Sequence, residues 1–170
     1  DPKAPPHLQD QLAKIFIGEA KAAGGPVDRT RYYEKAKRIY GNLAASMRET
    51  LNNKPVFNEL PPDKQDACTR CFWDNFYKYC ELNFDTGNYE ELQKDLDVYK
   101  QFYPGYDEGK FGVKEKLVAL EAKNFIKLPK EKQEENAKLF WKKVHKDCEL
   151  LFDAGKHEEL QKDLELYKKY

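Results

Sequence analysis

The chain has 170 residues, and 30 Lys+Arg balance 30 Asp+Glu to give a formal net charge of zero. That length suits one domain or a short array of repeats, and it can bury a core without disulfide staples. No run approaches the ~18 apolar residues needed to cross a bilayer, the strongly basic footprint of a nucleic-acid binder is missing, and 14% aromatic residues give too much buriable surface for a disordered chain.

Taken in chain order, Leu8 to Ala23 carries the first helical pattern, and Gly24-Gly25-Pro26 breaks it. Asp28 is placed to cap a second helix reaching about Leu51. Residues 8–51 thus read as a loose, degenerate helical hairpin, with Asn52-Asn53-Lys54-Pro55 as the linker after it. The next helix opens at Pro61-Pro62, where a missing N–H costs nothing. Trp73, Phe76, Cys80 and Phe84 then follow at spacings of three and four, the mark of one apolar helix face. This stripe stops at Asp85-Thr86-Gly87-Asn88, with Gly87 placed to take a left-handed conformation. Tyr89 to Phe102 reads as a second helix with Leu92, Leu96 and Tyr99 on one face, closed by Pro104-Gly105. Residues 108–127 hold one connecting helix, from Gly112 to about Lys127, with Val113, Leu117, Leu120 and Phe125 as its apolar positions.

The remainder repeats what came before. Sliding the sequence by 68 residues superposes Leu60–Phe102 on Leu128–Tyr170 without a gap, and 22 of 43 aligned positions are identical. The shared core runs Phe72-Trp73 and Phe140-Trp141, then Cys80-Glu81-Leu82 and Cys148-Glu149-Leu150. It ends in F-D-x-G from Phe84 and Phe152 and in EELQKDL from Glu90 and Glu158. Chance does not give this, so residues 60–107 and 128–170 are two copies of one helical hairpin. No alternating strand pattern occurs. The fold class is therefore all-α, six to seven helices arranged as helical-hairpin repeats within a single domain. Trp73 and Trp141 hold equivalent places, which predicts that both are packed between hairpins, because a packing role recurs with a repeat.

Few residues look chemical. Cys68-x-x-Cys71 lacks the second Cys/His pair of a zinc site, and it sits inside a helix rather than at a strand-to-helix junction. Buried or half-buried thiols are the simpler reading for these two, and Cys80 and Cys148 read as small buried residues that let helices approach. Four cysteines without a framework suit a reducing compartment. Glu90-Glu91 and Glu158-Glu159 occupy first helical turns, where they complement the helix dipole. Gly24-Gly25 lacks the Lys-Ser/Thr of a phosphate loop, and His7, His145 and His157 are scattered. No catalytic apparatus is visible, which points to a non-enzymatic chain with no cofactor, no metal and no small-molecule ligand. Tyr77 and His145 are equivalent residues on the first helix of each hairpin. They read either as half-buried rings with polar tips or as partner-facing residues on a helical stack, and they are the candidate partner-binding pair.

Trp73 to Asp107 spans helix, Asp-Thr-Gly-Asn turn, helix and a Tyr-Pro-Gly-Tyr-Asp tail, and in this it resembles a pentatricopeptide repeat. Trp141–Tyr170 is similar to a truncated second copy and Leu8–Leu43 to a degenerate one. In that family the fifth and last positions of a repeat read bases. Here the fifth falls on Tyr77 and His145 and the last on Asp107, and neither Tyr nor His is a code residue. With the net charge of −5 over residues 61–107, this departure implies repeats turned to protein contacts. As a whole, by its start at Asp1-Pro2-Lys3, its length and its duplicated block, the chain resembles the small pentatricopeptide-like helical subunits specific to euglenozoan mitochondrial F1-ATP synthases. This resemblance implies import into mitochondria with removal of a transit peptide. It also implies a place on the matrix side of the inner membrane, without membrane insertion, bound to the outside of an α subunit of the F1-ATPase catalytic head. An alternative reading is a mitochondrial pentatricopeptide-like RNA-binding protein, with Arg29, Arg31, Lys35, Lys37 and Arg38 following a phosphate backbone.

Overall fold

The computed structural model describes residues 4–102 and 112–168. Among these residues there are eight α-helices and no strand: α1 (Pro6–Ala22), α2 (Pro26–Asn52), α3 (Lys54–Glu59), α4 (Pro62–Asp85), α5 (Tyr89–Phe102), α6 (Val113–Lys127), α7 (Lys130–Asp153) and α8 (His157–Tyr167). The fold is all-α. Its additional element is α3, which occupies the segment expected to be a linker. Pro55 lies in the first turn of that helix, where it lacks only an N–H that would have had no partner. Asp28 does not cap α2 either: Gly25 is the N-cap, Pro26 opens the helix, and Asp28 sits in the first turn, where its charge meets the positive end of the dipole. Pro104-Gly105 and Asp107 lie outside the described residues, as do the side chains of Tyr99, Phe140 and Tyr167.

The chain divides into two compact units, Asp1–Leu117 and Val118–Tyr170. In the first, α2 packs against both α1 and α4, and α5 returns along α4. Ala13, Ala20 and Ala36 are fully buried, small residues that let α1 and α2 approach closely. Around them Tyr40, Leu43 and Leu82 form a core that Phe16, Ile17, Tyr33, Ile39 and Tyr79 complete. At the crossing of α2 and α4, a Cβ on Gly41 would meet the Tyr79 ring at 3.3 Å, so glycine permits this approach. Phe72, Trp73 and Phe76 form a second buried group on α4, their ring centroids 5.0–6.0 Å apart. Leu92 and Leu96 of α5 are buried as well.

In the second unit α7 and α8 pair in the same way, and Leu128 and Val144 are buried. The two hairpin turns match bond for bond. Pro61 and Pro129 precede α4 and α7 with the same φ of −55° and ψ of 148°. Gln65 Nε2 donates to the Leu60 carbonyl at 2.8 Å, and Gln133 Nε2 donates to that of Leu128 at 2.7 Å. Gly87 and Gly155 take φ of 79° and 71°, a left-handed conformation that favours glycine. Each closes a Schellman turn: Asn88 N donates to Asn83 O and Gly87 N to Phe84 O in one, Lys156 N to Leu151 O and Gly155 N to Phe152 O in the other. Phe84 meets Tyr89 edge-on at 5.5 Å, and Phe152 meets His157 edge-on at 5.6 Å.

Burial is where the copies part. Trp73 is 0% exposed but Trp141 is 60% exposed, and Leu82 at 4% becomes Leu150 at 58%. The expectation that both tryptophans are packed thus holds for Trp73 and fails for Trp141. The residues around the shared ones also differ between the copies. Tyr79, which fills the gap between α2 and α4, is replaced by Asp147, and Phe76 by the smaller Val144. Truncating a buried Trp to Ala costs about 3–5 kcal/mol, a large share of a domain's ~5–15 kcal/mol. Trp73→Ala should lower the urea midpoint and the melting temperature steeply. Trp141→Ala should change either by far less, and equal losses in the two variants would contradict the burial difference.

Candidate functional site

Tyr77 and His145 occupy the same helical position and form the same local contact. The Tyr77 hydroxyl donates to Glu81 Oε1 at 2.8 Å, and His145 Nδ1 lies 3.5 Å from Glu149 Oε1, in both cases four residues on. Their surroundings differ. Tyr77 is half-buried, and Lys116 Nζ of α6 stands 5.6 Å from its ring centroid, within cation–π range. Burial and the bond to Glu81 push its hydroxyl above the ordinary phenol range, so it remains a neutral donor. His145 is exposed, its side chain retaining 74% of its accessible surface. The structure therefore keeps Tyr77 within its own fold and turns His145 to solvent.

His145 belongs to a stripe that sequence reasoning divided differently. Trp141, His145, Cys148 and Phe152 follow one another at spacings of four, three and four, so they share one side of α7. Trp141, His145 and Phe152 are exposed and Cys148 is half-buried. Their counterparts on α4 are Trp73, Tyr77, Cys80 and Phe84, of which Trp73 and Cys80 are fully buried. A second exposed apolar stripe runs along α1 through Leu8, Leu12 and Ile15, opposite the buried Ala13 and Ala20.

The most polar place between helices is structural. Asp10 of α1 accepts from Tyr40 of α2 at 3.2 Å and from Lys78 of α4 at 3.0 Å, and it pairs with Lys14 at 2.7 Å. Burial works to raise the Asp10 carboxyl, but the hydrogen bonds from Lys14 and Lys78 outweigh it and hold the group below the usual carboxylate range. Lys78 Nζ also stands 4.9 Å from the Tyr40 ring centroid. These contacts fasten three helices together.

Cys68 and Cys71 are both half-buried free thiols. Asn75 Nδ2 donates to the Cys71 carbonyl at 2.7 Å and lies 3.4 Å from its sulfur. Among the described residues, no group of three or more His, Cys, Asp or Glu side chains is placed to hold a metal ion. Nor is any helix among them long and apolar enough to cross a membrane. Of the basic run on α2, Lys37 pairs with Glu34 at 2.6 Å, and Lys35 lies over the rings of Phe16 and Tyr32 at 5.1 and 5.4 Å. Arg29, Arg31 and Arg38 are exposed.

Burial and the neighbouring charge of Asp74 raise the Cys71 thiol above its ordinary value, so less of it is the reactive thiolate near neutral pH. Alkylation of Cys71 by iodoacetamide, resolved by mass spectrometry, should be slower at pH 7.5 than in the urea-unfolded chain, and should still be climbing above pH 9. A rate that levels off below pH 8 would contradict this. No family model, curated protein or solved structure matches the chain.

Proposed function

We propose that this chain is a non-catalytic helical subunit of the catalytic head of a mitochondrial F1Fo ATP synthase, bound to the outside of an α subunit and supporting assembly or stability of the complex. The observation that carries this reading is the unequal burial of two copies of one hairpin. Surface that forms core in the first copy is exposed in the second, and exposed aromatic surface of this kind marks an interaction site. The sequence resemblance to euglenozoan F1-ATP synthase subunits names the partner. The polar groups agree with a structural role, because those that converge, such as Asp10, Tyr40 and Lys78, fasten helices to one another. On this reading the chain binds no nucleotide, and its place is the mitochondrial matrix face of the inner membrane.

Affinity purification from mitochondria through a tag on this chain should recover the α and β catalytic subunits in fixed stoichiometry, and their absence from the eluate would sink the proposal. RNA is the competing ligand. A chain that follows a phosphate backbone loses affinity steeply as salt rises, whereas α2 offers only three exposed arginines in its basic run beyond Lys35, which lies over two aromatic rings. Binding to total mitochondrial RNA at low salt should therefore be undetectable.

A further inference from the structure

Cys68 and Cys71 lie three residues apart in the interior of α4, so they share one side of the helix. Both are free, half-buried thiols, and they are close enough for the charge of Cys68 to act on Cys71. Asn75, one turn further on and only 7% exposed, directs its Nδ2 to the Cys71 carbonyl at 2.7 Å and to the Cys71 sulfur at 3.4 Å, which holds that residue in place. Burial and Asp74 oppose negative charge at Cys71, and Lys78 favours it. The second copy lacks the whole group. Asn136, Leu139 and Lys143 stand where Cys68, Cys71 and Asn75 stand in the first, although Phe72-Trp73 among them recurs as Phe140-Trp141. The hairpin is thus built without these three residues, and they are lost from it as a set.

Spacing decides what two such thiols can do. A disulfide needs Cβ atoms about 3.5–4.5 Å apart. Residues three apart on a helix hold theirs about 5–6 Å apart, so an S–S bond would distort α4. A metal ion between the sulfurs needs no distortion, since two bonds of about 2.3 Å place them roughly 4.6 Å apart. Among the described residues no third His, Cys, Asp or Glu side chain completes a group there, which leaves too few ligands for tetrahedral zinc. Soft thiolates select copper(I), whose filled d shell accepts two ligands in a line. We propose that Cys68 and Cys71 form a two-coordinate copper(I) site on α4, with Asn75 hydrogen-bonding one of its sulfurs. Binding forms two Cu–S bonds and breaks two S–H bonds, and the two protons pass to water. Copper remains monovalent and neither sulfur is oxidised. The site is separate from the proposed attachment to the catalytic head, and its test needs no partner.

The test uses the reduced full chain and copper(I) alone, titrated without oxygen against the coloured copper(I) chelator bathocuproine disulfonate. The chain should hold one copper(I) per molecule in competition with that chelator. Cys68→Ser and Cys71→Ser should each weaken the hold a hundredfold or more, while Cys148→Ser should bind like the parent. Should a serine variant fail to fold, alkylation of the unchanged chain gives a second readout. One equivalent of copper(I) should slow iodoacetamide at Cys68 and Cys71 tenfold or more and leave Cys148 as reactive as before. No copper retained against the chelator, unchanged affinity in either α4 variant, or protection of Cys148 in place of Cys68 and Cys71 overturns the proposal. Ready formation of a Cys68–Cys71 disulfide from oxidised glutathione, with release of two molecules of reduced glutathione, would show that the helix lets the sulfurs meet. That result would make the pair a redox couple and overturn the metal site.

Discussion

The meeting of Tyr79 with Gly41 is the constraint on which the first unit depends. Tyr79 reaches into the crossing of α2 and α4, and the absence of a side chain at Gly41 is what lets the backbones approach. Its hydroxyl extends further and hydrogen-bonds the Asp95 carboxylate on α5. One side chain therefore touches three helices. Beside it, Lys78 lies over the Tyr40 ring and bonds Asp10, which brings α1 into the same arrangement. Hydrophobic burial gives these helices a reason to associate, but these polar contacts specify how they cross, because a buried hydroxyl or carboxylate left without partners costs about 1–3 kcal/mol.

Much of this was legible in the residues. Proline before α4 and α7 and glycine after each marked the hairpins, and the two Schellman turns at Gly87 and Gly155 follow from the F-D-x-G sequence they share. Local signals of this kind act through backbone geometry, which identical residues reproduce wherever they occur. Pro55 misled for the same reason that Pro61 did not: proline is compatible with the start of a helix, and only its neighbours decide whether a helix follows.

Burial was not legible from identity, because it belongs to pairs of surfaces. The 22 identical positions predict a second core like the first, while the positions that differ decide against it. The buried Asn75 corresponds to Lys143, and Tyr79, which meets Gly41 of α2, corresponds to Asp147, so two uncharged residues of the first copy's packed surface are charged residue types in the second. Those substitutions were the available signal for the exposure of Leu150. Exposure of Trp141 has no such signal among its own neighbours in sequence, because the burial of a ring depends on what packs against it in space.

Asp95 shows the same point in chemical form. Burial raises its carboxyl above the usual range, the Tyr79 hydroxyl only partly offsets this, and its Oδ2 has no hydrogen-bond partner among the described residues. Its charge is therefore a local cost at neutral pH that protonation relieves as pH falls, the opposite sign from Asp10, whose contribution is present at neutral pH and is lost as pH falls through its lowered value. The first unit buries Phe72, Trp73 and Phe76 on α4. The second unit keeps Trp141 and Phe152 in water, and burying a side chain such as Phe is worth about 1.5–3 kcal/mol. Burial free energy that the first copy draws on at Trp73 is therefore largely unused at Trp141 in the second. A hairpin duplicated with its aromatic residues intact is thereby unequal in its two copies: Trp73 is packed within the first, and Trp141 of the second lies mostly in water.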